Sequence, residues 1–236
     1  MNLEIPNEYK KGFTKFLNCK IDLRNRVFIP RTETGFWVKK AIKAIKAIKE
    51  LSSLREGLKV LDIFAGSGCI GISILKNVEN SFVDFVDIDK KAIEQIKINL
   101  KLNLPRTELV LVRGKISPKR YKIYQSNLFE KLKGKYNYIF ANPPYAAKEK
   151  LKEVQPSVLR YEPRRAILGG KKGLFYIRKF LKEAKKFLKP DGTIYFEFDP
   201  EQKNEISNIL RKENYKNFKF FKDQFKKWRW TRIAYH

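Results

Sequence analysis

The stretch IFANPPYAAK, residues 139–148, runs a hydrophobic strand into an asparagine, two prolines and an aromatic ring. Pro143 and Pro144 fix φ near about −65° and remove two backbone N–H donors while keeping both carbonyls. Asn142 adds a side-chain carbonyl, so the turn offers mostly hydrogen-bond acceptors. A rigid group of acceptors suits a ligand with two donors on one nitrogen, an NH₂ group. The same residues would also serve as an ordinary proline-rich strand end. A second stretch, VLDIFAGSGCIGI at residues 60–72, places a glycine-rich turn between a strand and a helix. Gly66 and Gly68 let the backbone approach a ligand, and the helix start presents unpaired N–H groups. Many α/β proteins turn tightly at such a place, and this one is neither G-x-G-x-x-G nor a P-loop. Asp62 brings a carboxylate beside the turn, where it would hold a cationic amine. A second strand ends in FVDID, residues 85–89, where an acid can accept both hydroxyls of a ribose. Asp87 fits that role, and Asp89 fits a solvated strand end.

The surrounding pattern says what must hold these residues. FWVKKAIKAIKAIKELSSL, from residue 36, reads as a helix with Ile42, Ile45, Ile48 and Leu51 on a drifting apolar stripe. From Leu58 strands alternate with helices, each turn of interest following a strand. GLFYIRKFLKEAKKFLKPDG reads as an amphipathic helix stopped by Pro190 and Gly192. PRTELVLVRGKISPKRYKIYQSN reads as irregular, with one short strand and a basic loop. FKFFKD and WRWTRIAYH read as a closing pair of strands, with Trp228 and Trp230 as core or edge packing. This alternation predicts a three-layer α/β sandwich with a mostly parallel sheet and an antiparallel edge hairpin.

Composition bounds the chemistry. At 236 residues with 43% hydrophobic content, the chain suits one sizeable core. A net charge of +27 favours association with a polyanion such as nucleic acid or the ribosome. Coding bias toward Lys, Ile, Asn, Phe and Tyr explains the same number equally well. Cys19 and Cys69 are the only cysteines, which excludes a disulfide framework and a CxxC site. His236 is the only histidine, which argues against a Ser-His-Asp triad, a Cys-His pair and a His-rich metal site. The start of the chain lacks the apolar run of a signal peptide, and no stretch approaches ~20 apolar residues. The expectation is a cytoplasmic protein with no membrane segment and no metal.

A glycine turn, a ribose-binding acid and NPPY, in that order, resemble the class I S-adenosylmethionine-dependent methyltransferases that modify planar amide or amine nitrogens. NPPY alone does not separate protein glutamine methyltransferases from adenine or guanine methyltransferases of rRNA, tRNA or DNA. Other segments do. VFIPRTET (27–34) resembles the IPRPETE segment of the release factor N(5)-glutamine methyltransferases, the PrmC/HemK type. RYEPRRAILGGKKGLFYIRKF (160–180) is similar to that family's Tyr-Glu-Pro, Gly-Gly and Gly-Leu run. IYFEFDPEQ (194–202) resembles its EIGxxQ strand end, and residues 222–236 its closing Asp…Arg segment. A Glu-Pro pair such as Glu162-Pro163 also makes a good turn without further purpose.

The resemblance spans residues 9–236 and implies a Rossmann-like, seven-stranded class I fold that uses S-adenosyl-L-methionine. It would put the methionine end of the cofactor along Phe64, Ala65, Gly66, Ser67 and Gly68, beside Asp62. Asp87 would take the ribose, Asn127 and Leu128 the adenine edge, with Asn142 bordering the same site. Asn142, Pro143, Pro144 and Tyr145 would hold the target glutamine of a Gly-Gly-Gln motif in peptide chain release factors. A ribosomal protein glutamine is the alternative protein target. Residues 1–35 would form a short substrate-side segment and 36–236 the catalytic domain, whereas the family typically carries a larger helical docking domain. Phe64-Ala65 replace the usual Gly-Thr, Ser126-Asn127 replace Ser-Asp, and Thr32, Gly35 and Asp199 stand where Pro, an acid and Gly are usual.

Overall fold

The computed structural model describes residues 4–51, 57–104, 110–112, 115–117 and 120–235. The chain begins with α1 (Asn7–Lys11) and a hairpin of β1 (Phe13–Phe16) and β2 (Cys19–Asp22), followed by α2 (Thr32–Leu51). β3 (Leu58–Ile63), α3 (Cys69–Asn77), β4 (Ser81–Asp87) and α4 (Lys90–Asn103) form two strand–helix units. A short antiparallel pair, β5 (Val110–Val112) and β6 (Lys115–Ser117), precedes β7 (Tyr121–Gln125) and β8 (Tyr136–Ala141). After β8 come the short helices α5 (Pro156–Tyr161) and α6 (Arg164–Ile167), then α7 (Phe175–Ala184) and β9 (Leu188–Glu197). α8 (Lys203–Lys212), β10 (Asn217–Lys222) and β11 (Trp228–Ala234) complete the chain.

The seven-stranded sheet has the order β10-β11-β9-β8-β3-β4-β7. Only β11 runs against its neighbours, pairing antiparallel with both β9 and β10. β3 and β8 are buried at five of six positions, as strands covered on both faces must be. Alternation sends Val60 and Phe140 into a core beneath α2, α3 and α4, and Leu61 and Ile139 into one beneath α7 and α8. α7 buries Ile177, Phe180, Leu181 and Ala184, a spacing that puts all four on one helix face. These two cores make the three layers that the strand–helix alternation predicts. Because β4 lies on one side of β3 and β8 on the other, a crevice opens at the C-terminal ends of these strands.

Several boundaries differ from the sequence reading. α2 begins at Thr32, four residues before Phe36, inside the IPRTET segment. Thr and Gly are weak helix formers, so propensity hides this first turn; Gly35 N–H nonetheless bonds the Arg31 carbonyl at 3.1 Å. A division at 35/36 therefore falls within a helix. The preceding residues are also not merely turns. Phe16, Ile21, Leu23, Val27 and Ile29 join the core of the sheet. α4 presents Gln95, Asn99 and Asn103 at helical spacing, and these accept from the N–H groups of Asn25, Asp22 and Lys20 respectively.

α7 ends at Ala184, followed by a 3₁₀ turn, so Pro190 and Gly192 do not stop it. They sit within β9, where the register jumps from Tyr136↔Leu188 to Tyr138↔Thr193 and Asp191 takes φ 58°. The stretch read as irregular with one short strand supplies three, the β5–β6 pair and β7, the edge strand paired in parallel with β4; parts of it, like Ser52 and Ser53 of the expected helix end, lie outside the described residues. No described helix is long and apolar enough to cross a membrane.

Candidate active site

The expected chemical residues converge on the crevice at the ends of β3, β4 and β8. Leaving β3, the chain takes positive φ at Phe64 (61°), Gly66 (54°) and Gly68 (77°). This curls the turn around a cavity of about 360 Å³. Phe64, Ala65, Gly66, Ser67, Asp87, Asn127, Leu128, Asn142 and Pro144 all line it. Positive φ at a bulky residue is costly, and Phe64 offsets it by setting its ring edge-on to Tyr176 and Phe180, each at 6.2 Å.

Asp87 ends β4 and ties the turn down. Its Oδ2 accepts from Gly66 N at 2.8 Å and its Oδ1 from Asp89 N at 2.8 Å. Burial raises its pKa, partly offset by those N–H groups. A carboxylate has about four acceptor positions, so each oxygen keeps one for a ligand. Asp89 instead caps α4, accepting from Lys91 N at 2.9 Å. Asn127 donates its Nδ2 to Glu130 Oε1 at 2.6 Å, which leaves its Oδ1 unused as an acceptor among the described residues.

Two expected residues do not reach that cavity. Asp62 shares the β3 face with Val60, and alternation turns it under α3, where Oδ2 accepts from Gly71 N at 2.8 Å. It is 1% exposed, its Oδ1 has no partner among the described residues, and burial pushes its pKa up to about 8. Gly68 likewise turns away, with Ile96 so close that a Cβ would sit 3.1 Å from its side chain. It shapes the turn without lining the volume.

On the other side of the NPPY turn lies a larger cavity of about 870 Å³, lined by Pro143, Tyr145, Arg31, Glu197 and Arg229 among others. Phe28, Asn142 and Ala166 line both volumes. Asn142 thus stands at their junction. Its Nδ2 donates to Thr34 Oγ1 at 3.3 Å, while among the described residues nothing donates to its Oδ1 or to the Pro143 carbonyl. Tyr145 donates its hydroxyl to Glu197 Oε1 at 2.9 Å, and Glu197 Oε2 accepts from Thr34 Oγ1 at 2.6 Å and Trp37 Nε1 at 2.7 Å. Burial raises the Glu197 pKa and the three donors pull it back. The Tyr145 phenol is pushed well above its ordinary range by burial and by Glu197.

The backbone after NPPY is clamped as firmly. Ala146 N–H bonds the Ile167 carbonyl and Gly169 N–H the Ala146 carbonyl, both at 2.9 Å. Gln202 donates its Nε2 to the carbonyls of Tyr145 and Lys172, each at 2.9 Å. Gly173, with φ 68°, lies so close that a Cβ there would collide with the Tyr145 carbonyl. Glu162 is more than a turn residue. Its Oε1 pairs with Arg31 Nη2 at 2.5 Å and its Oε2 accepts from Ile29 N at 3.1 Å. That fixes residues 29–31 against the segment that follows NPPY. Sequence reasoning passed over Thr34, Trp37, Glu197 and Gln202 as individual functional residues, although each lies in or beside a segment quoted above.

The family described as Methyltransferase small domain matches residues 45–161. The chain is 31% identical to the release factor glutamine methyltransferase of Thermodesulfovibrio yellowstonii, covering 92% of this chain and 72% of the relative. It is 33% identical to the protein of that name from Flavobacterium psychrophilum, with coverage of 92% and 71%. Among solved structures, the hMettl16 catalytic domain bound to a MAT2A hairpin has a TM-score of 0.64 at 14% identity, covering 98% of this chain and 90% of that one. The ribosomal protein L11 methylase of Lactobacillus delbrueckii has a TM-score of 0.56 at 16% identity, covering 90% and 83%. At such identities the structural likeness speaks to the fold alone.

Proposed function

The chain belongs to the release factor glutamine methyltransferases, and from that premise we propose how its own residues divide the transfer of a methyl group from S-adenosyl-L-methionine to a release factor glutamine. When bound, S-adenosyl-L-methionine supplies a methyl group activated by a positively charged sulfur. The smaller cavity has the donor set such a molecule needs. Asp87 keeps an acceptor on each oxygen for the two ribose hydroxyls, and Asn127 Oδ1 can accept from the adenine amine beside the apolar Leu128. Phe64, Ala65, Gly66 and Ser67 wall the opposite end.

The target glutamine enters from the larger cavity. Its amide nitrogen is a poor nucleophile because the lone pair is delocalised into the carbonyl, and no histidine occurs among the described residues to act as a base. Asn142 Oδ1 and the Pro143 carbonyl accept its two N–H groups, holding the nitrogen at the junction and stabilising positive charge as it grows there. Tyr145 packs against the amide plane. The observation that carries this reading is that Asn142 lines both cavities with Oδ1 unpartnered among the described residues. The test is single-turnover methylation of a release factor fragment containing Gly-Gly-Gln, with cofactor titration. Asn142→Ala should slow transfer by orders of magnitude and leave cofactor affinity nearly unchanged. Wild-type turnover in that variant would reduce the turn to a strand end.

Two finer points belong to the same reading. Phe28 and Arg31 line the larger cavity, so the segment 1–35 contributes a wall on the substrate side although it shares the catalytic core. The net charge of +27, with Lys39, Lys40, Lys43 and Lys46 exposed along α2, supports association with the ribosome or its RNA. Such binding should weaken steeply with salt, while methylation of a short peptide should not.

A further inference from the structure

We propose that Thr34 and Glu197 are positioning residues that lock the side-chain amide of Asn142 with its oxygen toward the target nitrogen. The inference rests on the reading of Asn142 as the acceptor and adds what fixes its direction. An asparagine amide is nearly symmetric in shape, so packing alone does not choose between its two orientations, and a flip would present NH₂ to the target NH₂. Donor would face donor.

The choice is made by a chain of hydrogen bonds whose direction is forced. Trp37 Nε1–H can only donate, so Glu197 Oε2, at 2.7 Å, must accept. Thr34 Oγ1 lies 2.6 Å from the same oxygen, and two acceptors cannot face each other, so the Thr34 hydroxyl spends its one proton there. What Thr34 then offers Asn142 is a lone pair. The Asn142 atom at 3.3 Å must therefore be Nδ2, and Oδ1 is left facing the junction of the cavities. This direction holds for the ionised carboxylate, which only accepts, and the donors Thr34, Trp37 and Tyr145 favour that form against the pull of burial.

The burial of the parts suits a fixed device. Thr34, Trp37 and Glu197 are 1%, 0% and 1% exposed, so their mutual bonds are shut off from bulk solvent. Glu197 also takes the Tyr145 hydroxyl on its other oxygen at 2.9 Å. One carboxylate at the end of β9 therefore holds both arms of the acceptor turn, directly at Tyr145 and through Thr34 at Asn142. Thr34 reaches it from the first turn of α2 and also lines the smaller cavity, which ties the IPRTET segment to the chemistry.

The experiment compares Thr34→Val, Thr34→Ser, Glu197→Gln and Asn142→Ala by single-turnover methylation of a Gly-Gly-Gln release factor fragment. Cofactor affinity and thermal unfolding are measured in parallel. Thr34→Val keeps the shape and removes the lone pair, so the rate at saturating substrate should fall about tenfold or more, a factor set by one lost hydrogen bond. Its cofactor affinity should stay within about twofold, because Thr34 lines the smaller cavity with its hydroxyl already engaged by Glu197 and Asn142 and valine keeps the wall. Thr34→Ser restores the hydroxyl and should return the rate to near wild type. Glu197→Gln still offers an oxygen to Trp37 and Thr34 and should remain faster than Thr34→Val. Wild-type turnover in Thr34→Val alongside a slow Asn142→Ala overturns the orientation device while sparing the site reading. Equal slowing in Thr34→Ser and Thr34→Val overturns it too, by showing a packing role. Wild-type turnover in Asn142→Ala removes the premise itself.

Discussion

Replacing Asp87 tests the cofactor side of the crevice, because each oxygen of its carboxylate serves two partners. Oδ2 holds Gly66 N and Oδ1 holds Asp89 N, both at 2.8 Å, and each retains one position for a ribose hydroxyl. Hydrogen bonds to a charged group contribute about 1.5–3 kcal/mol each. Asp87 is only partly buried, so the lower figure applies, and two such bonds amount to about 3 kcal/mol, or about a hundredfold in affinity. Asp87→Ala should therefore weaken S-adenosylmethionine binding about a hundredfold, with a further loss if the freed Gly66 N–H lets the turn relax. Asp87→Asn keeps one oxygen and loses the charge, so about tenfold is expected. The assay is titration calorimetry with S-adenosylmethionine or its demethylated product, at temperatures where circular dichroism shows the variant folded. Affinity within threefold of wild type in a folded Asp87→Ala protein would mean that the ribose lies elsewhere.

Phe64 adopts φ 61°, which costs about 1–2 kcal/mol for a residue with a side chain; its edge contacts with Tyr176 and Phe180 return about 0.5–1.5 kcal/mol each. Phe64→Gly relieves that strain while losing both ring contacts, whereas Phe64→Ala keeps the strain and loses the ring as well, so Gly should be the more stable variant by about 1–2 kcal/mol; denaturant titration showing Ala at least as stable as Gly would refute this balance. Asp62, Asp87 and Glu197 are all raised by burial, Asp62 to about 8, so between the ordinary carboxylate range and about pH 8 the native chain binds more protons than the unfolded one. Stability should fall as pH rises across that window, and Asp62→Asn should flatten the decline measured by urea titration; a slope unchanged by the substitution would place the titration elsewhere. Arg31→Met strands a Glu162 side chain that is itself 0% exposed, and removing one member of a buried pair costs about 3–5 kcal/mol. Because the Arg31 side chain is 30% exposed, about 2–3 kcal/mol is expected, and adding Glu162→Gln should cost less than the sum of the two singles.

What the sequence shows of this protein is what local period and local chemistry encode. β3, β4, β8 and β9 are apolar runs ending in Phe64, Asp87, Asn142 and Glu197, and a parallel sheet brings strand ends together whatever the intervening lengths. The turn residues were readable for that reason, and so was the closing hairpin. β7 was read only as one unplaced short strand in an irregular stretch, because its alternation is weak and it stands at the sheet edge, where only one neighbour constrains it. Asp62 could have been placed by the period of two, since it shares a face with Val60, but proximity in sequence to the glycine turn suggested the opposite side. The relation of Thr34 to Glu197 is of another kind: 163 residues separate them, and neither residue type at either place implies the other. A buried carboxylate at a strand end has to find donors, and which donors it finds is decided by how α2 packs across the sheet. That packing depends on the hairpin and on residues 27–31 being sewn to α4 and to Glu162. On the proposed role of Asn142, a change that loosens the hairpin from α4 should reach the chemistry through α2 and Thr34.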